Sequence, residues 1–227
     1  KRIVGPYQDS YSPNGIIGEK DACGVGFIAN VKGIESNWIL KQSLKGLNCM
    51  EHRGGCGGDS DSGDGAGILC SIPWNYLEKE VKLKNKKEFN KGLGMIFMPN
   101  KKEKIEECKS ICEEEAEKLR INKTSWRTVP VNNEILGPLA KANAPFISQW
   151  ILFIDKKYND DTERLLFQLR KRIEKKIRES FKNHVGDCEF YFASLSSKTV
   201  VYKGMVRSEI LSEFYQDLKE ESFKVSF

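Results

Sequence analysis

Cys23 opens the run Cys23-Gly24-Val25-Gly26-Phe27-Ile28-Ala29, and about thirty residues later comes Glu51-His52-Arg53-Gly54-Gly55. A Gly/Asp tract follows, Gly57-Gly58-Asp59-Ser60-Asp61-Ser62-Gly63-Asp64-Gly65-Ala66-Gly67. A cysteine is a few per cent thiolate at neutral pH and is already a good nucleophile. An α-amino group, with a pKa of about 7.7–8.0, is suited to take the thiol proton near cellular pH. If cleavage before Cys23 frees its amine, one residue supplies both nucleophile and base. Such chemistry needs no partner histidine, and the chain has only two, His52 and His184. Asp21-Ala22 makes a small, polar junction that a processing step can reach, and Gly24 leaves the thiol unshielded on one side. An isolated cysteine is more often a buried structural thiol, so this reading rests on the surroundings of Cys23.

The Gly/Asp tract admits three readings. A phosphate cradle is excluded, because no Gly-Lys-Ser/Thr follows and no helix starts on it. A calcium loop has its opening in Asp59-x-Asp61, but an EF-hand requires Gly at 64 and Glu at 70, where the chain has Asp64 and Cys70. Gly54-Gly55-x-Gly57-x-Asp59 echoes the calcium β-helix repeat, yet a single copy has nothing to stack on. A turn-rich active-site wall, with glycines allowing close backbone approach, fits best. The competing functional class is a non-catalytic binding module whose Gly/Asp loop holds calcium or an anion, with Cys23 merely buried. A papain-like pairing of Cys23 with His52 or His184 has no further support.

The elements that must position these residues are legible from periodicity. Residues 1–22 are rich in Gly, Pro, Ser and Tyr without a period, and suggest an extended leader. Alternation over 23–31, through Val25, Phe27, Ile28 and Val31, predicts a strand. Ser36 is the expected N-cap of a helix carrying Ile39, Leu40, Ser43, Leu44, Leu47 and Met50. Strands are expected over Ile68–Ile72, Gly92–Met98, Trp126–Val131 and Phe146–Ile154, with a Glu/Lys-rich helix over roughly 101–120. Leu165, Leu169, Ile173, Ile177 and Phe181 form one helical stripe. Phe190–Leu195 and Lys198–Lys203 suggest a hairpin turning near Ser196-Ser197. Residues 208–218 suggest a helix and Phe223–Phe227 a strand cut off mid-course. Strands and helices in mixed order, with no repeated βαβ unit, imply an α+β layered domain.

Composition narrows the classes. The chain has 227 residues, 39% of them hydrophobic and 30% charged, enough for one large domain with a core. No apolar run is long enough for a transmembrane helix, and the start lacks a signal-peptide stretch, so no membrane partner is expected. The net charge of +5 sits largely in Lys82–Lys91 and Arg170–Lys182. Neither stretch has interleaved aromatics or a recognition motif, so solvated faces are expected and no nucleic-acid partner. Seven cysteines are an odd number without framework spacing, which favours a reducing compartment. Cys108 and Cys112 sit four apart, but with two histidines and no second close pair no metal site is expected. Cytoplasmic location is the default, with a plastid-type organelle if a transit peptide preceded Lys1.

Taken in order, the motifs resemble those of a known family. Cys23-Gly-Val-Gly-Phe-Ile-Ala, Glu51-His52-Arg53-Gly54-Gly55, Ser62-Gly63-Asp64-Gly65-Ala66-Gly67-Ile68 and Ile72-Pro73 are similar to the start of the glutamate synthase large subunit. Trp126-Arg127-x-Val129-Pro130-Val131, Ser194-Leu195-Ser196, Val201-Tyr202-Lys203-Gly204 and Phe214-Tyr215-x-Asp217-Leu218 continue the likeness over nearly the whole chain. The resemblance implies a class II glutamine amidotransferase domain over 23–227, with 1–22 as a removed propeptide. It implies an N-terminal-nucleophile hydrolase fold, an αββα four-layer sandwich of two stacked sheets between helices, here truncated at the C-terminus. Cys23 would attack the amide carbon of L-glutamine, and Arg53 and Gly54 would shape the pocket. Gly55-Cys56 departs from the small Ala and aliphatic residue more usual there. The family's glutamine-clamping Arg segment and oxyanion-forming Asn-Gly are not in this sequence and would be expected after Phe227, so this stretch alone is expected to be inactive. No cofactor is expected in this segment. FMN and an iron–sulfur cluster are implied for the full-length enzyme, and the downstream synthase domains of the same polypeptide are the implied partner.

Overall fold

A computed structural model describes residues 24–50, 65–81, 89–181 and 190–227. Ser36 starts the first regular element: its hydroxyl accepts from the Ile39 amide at 3.4 Å and caps helix α1 (Asn37–Cys49). Strand β1 (Ala66–Ser71) and helix α2 (Trp74–Glu80) follow on either side of Ile72-Pro73. Next come β2 (Phe89–Met98), the charged helix α3 (Lys102–Lys118) and β3 (Lys123–Thr128). Pro138 begins the short α4 (Pro138–Ala142), where its missing N–H costs nothing. The chain continues through β4 (Phe146–Asp155), α5 (Thr162–Ser180), β5 (Tyr191–Ser196), β6 (Thr199–Gly204) and the short α6 (Leu211–Phe214).

Among the described residues two antiparallel sheets result, one of four strands in the order β3-β4-β2-β5 and one of two, β1-β6. Mixed helices and antiparallel sheets make the domain α+β. The long β2–β4 ladder, from Phe89↔Asp155 to Met98↔Phe146, divides the core through the two-residue period of a strand. Leu93, Met95, Ile147, Ile151 and Phe153 pack in one cluster with residues of β1, β6, α1 and α2. Their neighbours Ile96, Met98, Trp150, Leu152 and Ile154 pack on the other side with α3 and α5. The stripe Leu165, Leu169, Ile173, Ile177 and Phe181 lies in that second cluster, every member at most 9% exposed. Each such side chain contributes roughly 1.5–3 kcal/mol of burial. Between the two helices the buried Glu115 of α3 accepts from Arg172 of α5 at 2.8 Å and pairs with Lys118.

Several expected elements take a different form. The Phe190–Leu195 and Lys198–Lys203 strands exist, but they are not a hairpin: β5 belongs to the four-stranded sheet and β6 pairs with β1. Serine side chains replace the missing ladder. Ser194 Oγ accepts from the Val201 amide at 3.1 Å, and Ser196 Oγ accepts from those of Lys198 and Thr199. The strand expected over Trp126–Val131 runs over Lys123–Thr128 and stops before Pro130, which has no N–H to give a ladder. Beyond it Val131 bridges Tyr215, which is extended (φ −89°, ψ 104°) and so breaks the helix expected over 208–218 into short turns. Phe223–Phe227 forms only a bridge, Ser36↔Val225, and residues 24–30 form no strand.

Candidate active site

Cys23, Arg53 and Gly54, with the leader, His52, His184 and the tract up to Asp64, lie outside the described residues. The structure does describe the chain on either side of them. Gly24–Ile28 follows Cys23, Met50 ends the helix leading to His52-Arg53-Gly54, and Gly65–Gly67 closes the Gly/Asp tract. These flanking segments meet around one cavity of about 540 Å³. One wall is the α1 face carrying Ser43, Gly46, Leu47 and Met50, three or four residues apart as one side of a helix requires. The opposite walls are Gly24–Ile28, the Gly67-Ile68-Leu69 edge of β1, and Phe227.

Close backbone approach explains two of the glycines. A Cβ on Gly24 would lie 3.1 Å from Met50 Sδ and 3.2 Å from Met50 Cβ. A Cβ on Gly67 would lie 2.7 Å from Lys203 Cβ and 2.9 Å from the Tyr202 carbonyl oxygen, which the β1–β6 rung does not allow. Among the described residues the lining carries no ionisable side chain, and the Ser43 hydroxyl is spent on the Ile39 carbonyl at 2.8 Å. Charge for a polar substrate must therefore come from outside these lining residues.

The C-terminal segment straps these walls together. Asn30 N–H donates to the Ser226 carbonyl at 2.8 Å, and Ser36 and Val225 exchange backbone bonds of 2.9 and 3.3 Å. On its other side Ser226 N–H donates to Ser71 Oγ at 2.8 Å, and Ser71 N–H donates to the Phe227 carbonyl at 3.4 Å. The Asn37 amide donates to the carbonyls of both Glu220 and Phe223.

The strap is anchored by a buried polar network absent from the sequence-derived candidates. Asp217 is fully buried and accepts two bonds from Arg127, at 2.7 and 2.8 Å, in fork geometry. It also accepts from Tyr76 Oη at 2.8 Å and Tyr202 Oη at 3.0 Å. Gln149 completes the set, accepting from Arg127 at 2.9 Å and donating to Tyr202 Oη at 2.9 Å. Burial works against the Arg127 charge, but hydrogen bonds and charge from Asp217 outweigh it and hold the guanidinium pKa above its ordinary value. Burial, then the Asp217 charge, pushes both Tyr76 and Tyr202 upward, so neither hydroxyl ionises at physiological pH. The network is structural. The signal was present in the sequence as an arginine and an aspartate set among apolar neighbours, Trp126-Arg127-x-Val129 and Tyr215-x-Asp217-Leu218.

Cys70 is 3% exposed, and burial pushes its thiol pKa up to about 12. Burial, then the neighbouring Cys108, also pushes the Cys112 thiol upward. None of these is a poised nucleophile. No group of three or more His, Cys, Asp or Glu that could hold a metal occurs among the described residues. Those residues do not fit an iron–sulfur cluster.

Residues 23–227 match the family model of the class II glutamine amidotransferases, beginning at the cysteine singled out above. The chain belongs to that family. It is 42% identical over 226 residues to the chloroplastic ferredoxin-dependent glutamate synthase of Oryza sativa subsp. japonica, covering 98% of this chain and 14% of that protein. Against ferredoxin-dependent glutamate synthase 1, chloroplastic/mitochondrial, of Arabidopsis thaliana it is 45% identical over 217 residues, covering 93% of this chain and 13% of the relative. A ferredoxin-dependent glutamate synthase 2 of Synechocystis is 41% identical over 216 residues, again 93% and 13%. The chain thus spans about one seventh of the length of these relatives. Within the family the described residues account for the scaffold around the cavity. No helix among them is long and apolar enough to cross a membrane.

Proposed function

We propose that this chain is the glutaminase part of a glutamate synthase and hydrolyses L-glutamine through a thioester on Cys23. One observation carries the reading: the segments flanking Cys23, Arg53-Gly54 and the Gly/Asp tract line a single cavity. Cys23 is one peptide bond from Gly24, about 3.8 Å between Cα atoms. Arg53 follows Met50 by three residues, a reach of at most about 11 Å. On this proposal both act at that cavity. Once the leader 1–22 is removed, the α-amine of Cys23 takes the thiol proton and the sulfur attacks the amide carbon. The tetrahedral oxyanion collapses, the C–N bond breaks, and ammonia leaves with the proton from the amine. Water then cleaves the thioester, releasing glutamate and restoring the thiol. Arg53 and Gly54 shape the pocket.

The two hydrophobic clusters on either side of the four-stranded sheet support a four-layer αββα arrangement of the N-terminal-nucleophile hydrolase type. The relatives' names support ferredoxin as electron donor of the whole enzyme and a plastid-type compartment over the cytoplasmic default. The ammonia serves glutamate synthesis from 2-oxoglutarate on downstream synthase domains, which carry FMN and the iron–sulfur cluster. The test is Cys23→Ala in the complete enzyme, assayed with glutamine and with ammonium salts as alternative nitrogen donors. Glutamine-dependent synthesis should vanish while ammonia-dependent synthesis survives. Loss of both would make Cys23 structural and sink the reading.

A further inference from the structure

A second cavity, of about 410 Å³, opens beside the Lys203-Gly204 end of β6. Its size falls within the roughly 300–1,000 Å³ of small-molecule sites. Phe97 of β2, Ile147 of β4 and Phe214 of α6 supply apolar walls. Met205, 52% exposed, stands at the opening.

Ionic character enters the lining through one residue, Lys203. Its ammonium lies 4.4 Å above the Tyr191 ring and donates to Tyr191 Oη at 2.7 Å. Among the described residues it has no carboxylate partner. An ammonium carries three donors, so two remain, and Tyr191 Oη, having accepted one bond, still has its own proton to give. Both groups are held in place. Tyr215 Oη donates to the Lys203 carbonyl at 2.7 Å, the Gly67 backbone abuts the Lys203 stem, and Tyr191 packs on Phe97 with ring centroids 6.0 Å apart. An apolar cavity with converging donors and one positive charge that has no carboxylate partner among the described residues selects a ligand with a hydrocarbon body and a single negative head.

We propose that this cavity binds a small aliphatic monocarboxylate, its carboxylate bridging Lys203 and Tyr191 and its hydrocarbon chain against Phe97, Ile147 and Phe214. A carboxylate held by an ammonium and a phenol forms charge-assisted bonds, while an alcohol of the same length gives up the ionic part. Each methylene buried tightens binding by up to about fourfold until the cavity is filled.

The experiment is calorimetric titration of the full chain with butanoate, hexanoate, octanoate and 1-octanol, repeated on Lys203→Met and Tyr191→Phe. Octanoate should bind one to one, more tightly than hexanoate and at least tenfold more tightly than 1-octanol. Lys203→Met should reduce octanoate to the level of octanol and leave octanol unchanged. Tyr191→Phe, which keeps the ring and deletes only the hydroxyl, should weaken octanoate by a few-fold. Equal binding of octanoate and octanol to the parent chain would overturn the proposal, as would no binding of either. If Lys203→Met does not fold, Tyr191→Phe decides: an unchanged octanoate affinity there also overturns it.

Discussion

Removing the Asp217 carboxylate should be among the most destabilising single changes available in this domain. Asp217→Ala strands the Arg127 guanidinium, whose side chain is 9% exposed, with the neutral Gln149 and Tyr76 Oη, at 2.9 and 3.2 Å, and a 3.6 Å approach of the half-exposed Glu80 as its remaining acceptors. It also takes an acceptor from each of two tyrosines, although Tyr202 keeps its bond from Gln149. Breaking a buried ion pair from one side costs about 3–5 kcal/mol, chiefly because the surviving charge is left uncompensated. For a chain of this length each kcal/mol lowers Tm by roughly 2–4 °C, so a fall of about 6–20 °C is expected. Arg127→Met should cost about as much, by stranding the carboxylate. The double variant Arg127→Met/Asp217→Ala strands no charge, and should cost no more than the worse single. Urea denaturation of the four proteins closes the cycle. Additive costs, or a loss below about 1 kcal/mol for Asp217→Ala, would refute the claim that the network is a coupled, desolvated pair.

Three further outcomes follow from the geometry. Gly24→Ala should depress glutamine turnover in the complete enzyme with little change in melting temperature, and adding Met50→Ala should recover part of it by removing the sulfur 3.1 Å from the new methyl; unchanged turnover would count against Met50 as a wall of the site. Burial pushes the Glu115 pKa upward, but hydrogen bonds from Lys118 and Arg172 more than offset this and set it below the ordinary 4.5. With the folded value depressed, its stabilisation is complete above about pH 4.5 and fades as pH falls through the folded value, so urea midpoints at pH 3 and 6 should differ less in Glu115→Gln than in the parent. Cys70, with its pKa near 12 against an ordinary 9.0, has a thiolate fraction at pH 8 about three orders of magnitude below that of an unperturbed cysteine; iodoacetamide labelling followed by mass spectrometry should find it protected until the chain unfolds, and labelling of the native protein at the unfolded rate would contradict its burial.

Where one period dominates, the sequence is a good guide. The α5 stripe, the Ser36 cap and the apolar strands β2 and β4 occur within a few residues of their expected places, because burial of one face or both decides them locally. What resisted reading depends on partners remote in the chain. Nothing local distinguishes two strands of a hairpin from two strands parted into different sheets, since Ser194 and Ser196 look like ordinary strand and turn serines until their hydroxyls are seen taking amide protons from β6. The break at Tyr215 likewise follows from its bridge to Val131 and not from helix propensity. Of the candidate site, the cavity walls at Gly24–Gly26 and Met50 were legible as neighbours of motifs. The closing contribution of Phe227 was not, because no motif marks it.

The strap has a consequence for the order in which the domain assembles. Asn37 grips the Phe223 carbonyl across 186 residues of chain, and Ser71 grips Ser226 across 155. Closing a flexible loop of the longer span costs about 5 kcal/mol beyond the constant term, which only a preformed scaffold offsets. The four-stranded sheet with α3 and α5 is built from contacts that close much earlier. On a ribosome, the walls that flank Cys23 cannot be joined until residues near 227 have been synthesised and have cleared the exit tunnel. Catalytic competence would then be among the last properties this part of the polypeptide acquires, and a nascent chain stalled before that point would carry an intact cysteine without the cavity that gives it a use.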